Sequence, residues 1–290
     1  MTSAQSRVLE VQDVEYLRHG DKPLLARVFK PQGRGPFPAI VQVHGGAWCE
    51  MDRQRDSALD ISVALSGVVV VAIDFRMPPA VSYPAPLADI NYAVRWVKMR
   101  ATELGTRADL VGIMGTSSGG HQAMLTALRP RDPRYAAIAL PGSWTSLNAD
   151  VRCAVLCYPV LNPVERFQYA KALANDPSDF AQWYSKRQVP RNLQYWQTEE
   201  AMSEGSPVLI MERGEPVQKP PVLWVQSTGD KAHPRSSNEQ FIALYRKDGG
   251  VAEMEMFEEK EADFLTFDPS SPAARGATTR ITEFIHRHVF

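Results

Sequence analysis

The stretch Val111-Gly112-Ile113-Met114-Gly115-Thr116-Ser117-Ser118-Gly119-Gly120-His121 runs from a short apolar strand, through Gly-x-Ser-x-Gly, into a helix-forming run at 122–128. A sharp strand-to-helix turn of this kind lifts one serine, here Ser117, out of the sheet. Only glycine fits beside it, where the strand and helix backbones nearly touch. The Ser117 hydroxyl then stands at a helix N-terminus, where free backbone N–H groups and the helix dipole favour developing negative charge. Gly-x-Ser-x-Gly alone occurs by chance in many proteins. The strand before it and the helix after it are the context the chemistry requires.

Outward from this turn, strands are predicted at 39–44, 68–73, 110–114, 153–159, 222–227 and 252–257, and helices at 58–65, 87–104, 238–247 and 273–289. A pair of strands at 8–18 and 24–30, joined by a turn, precedes them. The wholly apolar 68–73 has the pattern of a parallel strand buried on both faces. Strands alternating with helices imply an α/β fold, a mostly parallel sheet covered on both sides. The alternation breaks at 162–220, which is rich in aromatic residues and holds no convincing strand. A structureless loop of that length is not expected inside a compact domain. The expected organisation is therefore a core formed by 1–161 and 221–290, with a helical cap inserted at 162–220. The cap's aromatics should mostly pack its own small core. Trp48, Trp183 and Tyr184 are the candidates for a substrate-pocket wall.

The 290 residues suffice for one large domain with an insertion. With 32 Lys+Arg against 33 Asp+Glu there is no basic stripe for nucleic acid and no charged tail. Three cysteines are too few for a disulfide framework. Cys153 and Cys157 lie four residues apart on one expected strand, roughly 13 Å, beyond the Cα separation of about 4.4–6.8 Å that a disulfide needs. The first ten residues are polar and lack an apolar signal core, and no apolar run is long enough to cross a membrane. A cytoplasmic protein without membrane partner is the expectation. The six histidines show no zinc-ligand spacing, and no dinucleotide or phosphate loop is present, so neither metal nor cofactor is expected.

Three motifs, His44-Gly45-Gly46-Ala47-Trp48, Gly115-Thr116-Ser117-Ser118-Gly119-Gly120 and Thr228-Gly229-Asp230, resemble those of the α/β-hydrolase fold. More narrowly they resemble the hormone-sensitive-lipase-like and kynurenine-formamidase-like carboxylesterases, over roughly residue 25 to the end. The resemblance implies Ser117 as nucleophile and Asp230 as the triad acid. The N–H groups of Gly45, Gly46 and Ser118 become the oxyanion donors, and His44 a structural residue. It implies a small-molecule ester as substrate and leaves open an amide or formamide. Many relatives pair through the last helix and strand. The apolar end at Ile281, Phe284, Ile285, Val289 and Phe290 is compatible with a homodimer and equally with packing on the sheet.

One residue departs from the pattern. The family's histidine is expected in His-x-Phe, and Ala262-Asp263-Phe264 stands there instead, so Ala262 occupies the histidine's position. An engineered histidine-to-alanine variant is the favoured account, because the rest of the apparatus is intact. A natural non-catalytic binding relative, as the gibberellin receptors are, is the second. Substitution by another histidine is the third. His233 is the nearest, three residues after Asp230, and is expected to point elsewhere. Arg76, Arg166 and Arg187 are candidate partners for a substrate carboxylate, with surface roles favoured for each.

Overall fold

A computed structural model describes residues 8–289; residues 1–7 and Phe290 of the apolar end lie outside the described residues. The strands are β1 (Leu9–His19), β2 (Lys22–Pro31), β3 (Ala39–Val43), β4 (Val69–Ile73), β5 (Val111–Thr116), β6 (Ala154–Cys157), β7 (Val222–Ser227) and β8 (Ala252–Phe257). They form one eight-stranded sheet in the order β1-β2-β4-β3-β5-β6-β7-β8. β1 and β2 are an antiparallel hairpin, β2 lies antiparallel to β4, and every later pairing is parallel.

The connections are helical. α1 (Ser57–Leu65) follows β3. α2 (Ala85–Met99) and the single turn α3 (Ala101–Leu104) follow β4, and α4 (Ser118–Leu128) follows β5. Between β6 and β7 lie α5 (Pro163–Ala172), α6 (Asp179–Trp196), α7 (Glu199–Glu204) and α8 (Pro207–Glu212). α9 (Arg235–Lys247) joins β7 to β8, and α10 (Phe264–Phe267) and α11 (Pro272–Val289) end the chain. The helix expected over 87–104 is therefore two. The helical dihedrals lapse at Arg100 (φ −96°, ψ 14°), and Gly105 stops the second piece in the left-handed region at φ 73°.

Strand alternation divides the core between the two faces of the sheet. Val69, Val71 and Ile73 point to the side covered by α2, α4 and α9; Val70 and Ala72 point to the side covered by α1 and α11. Ile281, Phe284, Ile285 and Val289 of α11 are fully buried on that second side. Each such burial is worth about 1.5–3 kcal/mol, so these side chains are committed to the sheet and offer no apolar face for a dimer.

The strand order places the reactive end. From β3 the chain steps one way to β4, then crosses back to β5 on the other flank. At such a reversal the loops leaving the strands' carboxyl ends diverge and leave a crevice. Gly45 and Gly46 follow β3 there, and Ser117 follows β5. The stretch between β6 and β7 is helical, and each of α5, α6, α7 and α8 opens with a capping side chain. The side chains of Asn162, Ser178, Thr198 and Ser206 accept from the N–H groups of Glu165, Ala181, Ala201 and Leu209. α5, α6 and α7 bury a small core of their own around Phe167, Tyr195, Trp196 and Met202. α8 instead returns to the sheet, with Val208 and Met211 in the main core. Among the described residues no helix is long and apolar enough to cross a membrane.

Candidate active site

The turn around Ser117 is held by backbone contact. Ser117 itself has φ 52° and ψ −120°, a conformation costing roughly 1–3 kcal/mol that persists only where the surroundings enforce it. A Cβ on Gly119 would lie 2.1 Å from the Val43 carbonyl oxygen, and one on Gly115 2.3 Å from the Gly119 oxygen. The Ser117 N–H donates to the Cys157 carbonyl at 2.9 Å, and the His121 N–H donates to the Ser117 carbonyl at 3.2 Å. The hydroxyl is left facing a cavity of about 720 Å³ at the strand ends.

The base is His233. Its Nε2 lies 2.8 Å from Ser117 Oγ, and its Nδ1 lies 2.8 Å from Asp230 Oδ2. Asp230 Oδ1 accepts from the backbone N–H groups of Ala232 (2.8 Å) and His233 (3.1 Å). The carboxylate thus folds the chain back over itself, and the imidazole three residues on returns to the same side chain. Gln226 braces the turn, its Nε2 donating to Asp230 Oδ2 at 3.0 Å and to the His233 carbonyl at 3.1 Å. Its Oε1 accepts from Trp224 Nε1 and Asn238 Nδ2. The Tyr184 hydroxyl donates to the Ala232 carbonyl from the lid side. With Nδ1–H given to the carboxylate, Nε2 is the lone-pair nitrogen and faces the serine.

This corrects the expectation that His233 points elsewhere. Ala262 lines the cavity, and Ser117 Oγ has its imidazole partner in His233. The family spacing concealed this, because it looks for the histidine after β8 rather than in the turn after β7. The available signal was Asp230-x-x-His233-Pro234. An aspartate that caps its own turn brings residue i+3 back to its carboxylate, and the proline ends that turn at the start of α9.

The loop expected to hold the oxyanion donors follows β3. Gly46 sits at φ 104°, and a Cβ there would lie 2.2 Å from the Glu50 carbonyl oxygen. The N–H groups of Cys49 and Glu50 both donate to the Gly46 carbonyl, and the Trp48 N–H donates to Ser118 Oγ at 3.0 Å. Gly45 and Gly46 line the cavity beside Ser117. The Glu50 carboxylate pairs with Arg187 and Arg191 of α6, tying this loop to the lid.

The remaining candidates separate cleanly. Trp183 is half exposed and lines the cavity. Trp48 does not: it is fully buried, stacked on Tyr195 with centroids 5.4 Å apart, and gives its indole N–H to His121 Nδ1. A large flat side chain behind a glycine loop gains more from burial in the lid core than from the cavity wall. Tyr184 is likewise buried and braces the Asp230–His233 turn instead of forming wall. Arg76 is bound to Asp89 and lies off the cavity, whereas Arg166 and Arg187 line it. His44 is buried and stacked on Phe75 at 4.4 Å, with burial holding its pKa below the usual value. Burial also pushes the Cys49 thiol up to about 11, so it is no nucleophile at neutral pH. Among the described residues no group of three or more His, Cys, Asp or Glu is arranged to hold a metal ion.

Residues 27–243 match the BD-FAE family. Esterase LipC of Mycobacterium tuberculosis is 26% identical over 224 residues, covering 76% of this chain and 52% of LipC. Carboxylesterase NlhH of the same species is 34% identical over 104 residues, 35% of this chain and 32% of NlhH. The chain thus spans about half the length of the first of these relatives and less of the second. Among solved structures, the hyperthermophilic esterase from the archaeon Pyrobaculum calidifontis superposes with a TM-score of 0.74 at 25% identity, over 98% of this chain and 87% of that one. Its likeness extends across sheet, helices and lid, so the fold is the α/β-hydrolase fold.

Proposed function

The chain belongs to the BD-FAE family, and on that premise we propose that it hydrolyses a small carboxylic ester with Ser117 as nucleophile, His233 as base and Asp230 as the acid that orients it. The observation that carries this is the unbroken run from Ser117 Oγ through the His233 ring to Asp230, 2.8 Å at each step. Ser117 Oγ attacks the ester carbonyl as His233 Nε2 takes its proton. Asp230 holds the Nδ1–H tautomer and stabilises the imidazolium that forms. The developing oxyanion is met by the N–H groups of Gly45, Gly46 and Ser118. His233 then returns the proton to the leaving alcohol, and a water activated by the same imidazole hydrolyses the acyl-enzyme. The esterase relatives support the ester bond as the target.

The test is hydrolysis of p-nitrophenyl esters of graded chain length by the unaltered chain and by Ser117→Ala, His233→Ala and Ala262→His. The unaltered chain should be active, with no gain from Ala262→His. Silence from the unaltered chain, with activity appearing only in Ala262→His, would return the base to position 262 and overturn the assignment of His233.

A further inference from the structure

Of the three arginines lining the cavity, two are neutralised by carboxylates: Arg55 by Asp263 and Arg187 by Glu50. Arg166, on α5, is different. It is 2% exposed, and no ion pair engages it among the described residues. Its Nε donates to the Tyr184 hydroxyl at 3.3 Å, and its guanidinium lies over the Trp48 ring at 5.1 Å and the Tyr184 ring at 5.9 Å. Its Nη1 is buried with no hydrogen-bond partner.

A guanidinium taken out of water without an anion is costly, and aromatic faces offset only part of that cost. A lid held merely by packing would place leucine or methionine here. Beside it Gln188 lines the same cavity, and its Oε1 also lacks a partner. A half-turn of that amide presents N–H groups in place of the oxygen. Two buried polar groups left open on one wall of the reaction cavity are complementary to one carboxylate, which accepts from both. Phe180 and Trp183, packed on Tyr184 along α6, add an apolar lining to the same cavity that suits the carbon skeleton that carries it.

We infer that Arg166, assisted by Gln188, is the subsite for a carboxylate on the substrate, so that the ester reaching Ser117 also carries a free acid group. This rests on the serine-hydrolase reading and names its substrate class: monoesters of dicarboxylic acids, or acylated hydroxy acids. The step at Ser117 is unchanged; Arg166 selects and orients and moves no proton.

Two matched ester pairs test it on the full chain. Mono-p-nitrophenyl glutarate against p-nitrophenyl valerate places the acid on the acyl side. 4-Acetoxybenzoate against its methyl ester places it on the alcohol side. The acid member of at least one pair should be preferred in kcat/KM by about tenfold or more, the worth of one charge-assisted hydrogen bond. Arg166→Gln should abolish that preference ratio and Arg166→Lys should keep part of it, because lysine retains charge but loses the planar fork. Turnover of the neutral esters with no acid preference would overturn the subsite and leave the hydrolase reading standing. Should all four esters be inert, the hydrolase reading fails on its own. The subsite is then decided by titrating glutarate and 4-hydroxybenzoate into Ser117→Ala: binding that disappears with Arg166→Gln supports it, and no binding overturns it. If Arg166→Gln does not fold, the matched pairs on the unaltered chain and the lysine variant decide.

Discussion

The serine and histidine ends of the reactive array are held by different forces. At Ser117 the backbone does the holding. Glycines at 115 and 119 let strand, helix and the β3 loop close to distances where no Cβ fits. At His233 side chains do most of it: Asp230, Gln226, Asn238 and Tyr184 form a hydrogen-bonded brace around the turn. A backbone-packed half should tolerate no added atom. A hydrogen-bonded half should lose strength in increments of about 1–3 kcal/mol as partners are removed.

The largest effect sharpens what the two halves share. His233→Ala should lower kcat/KM by about 10⁴-fold, as removal of a triad member does, while the urea midpoint changes little. If His233 were only a turn residue, the loss would instead track stability. Next, Gly119→Ala should destabilise the fold by more than about 3 kcal/mol, because its Cβ meets the Val43 carbonyl. A urea midpoint within error of the parent would refute the contact account of the elbow.

Third comes pH. His121, one turn past the nucleophile, is buried and accepts the Trp48 indole N–H on Nδ1 while donating from Nε2 to the Gly205 carbonyl. Burial pushes its pKa from 6.5 down to about 4. Between those values the unfolded chain binds the proton and the folded chain does not, so stability rises with pH across the window and is lost as pH falls from 6.5 towards 4. Across the whole window the loss should be on the order of 3 kcal/mol, with about 2 kcal/mol reached by pH 5, and His121→Gln should flatten it in denaturation curves taken at pH 7 and pH 5. Gln226→Ala, at the other end, should cost about 1–3 kcal/mol and roughly tenfold in kcat/KM, with Gln226→Glu the more severe change, because a buried carboxylate there faces that of Asp230 and cannot donate to it. The smallest effect is expected from Trp183→Ala at the half-exposed cavity lip. It should raise KM by about threefold with kcat unchanged, the mark of uniform binding.

These differences also explain what was legible in the sequence. Backbone-packed features leave glycines at fixed spacing, so the elbow at Gly115–Gly119 and the loop at Gly45 and Gly46 could be read directly. The sheet strands could be read for a similar reason: 69–73 and 111–116 are apolar on both faces because helices cover both. The histidine beside Ser117 could not be read from family spacing. Only the Asx-type turn at Asp230 returns His233 to the serine, and that is a property of local geometry. Trp48 and Tyr184 were misplaced because an aromatic residue near a site has the same letter whether it lines the wall or braces it.

Composition, periodicity and glycine spacing, which report local backbone constraint, were enough to determine a mostly parallel α/β sheet and the sharp turn that carries Ser117. Tertiary structure alone decided which histidine serves Ser117, that the apolar end of α11 belongs to the sheet, and that Arg166 is buried without an anion. Each of these depends on which side chains converge from distant parts of the chain, and convergence has no one-dimensional signature.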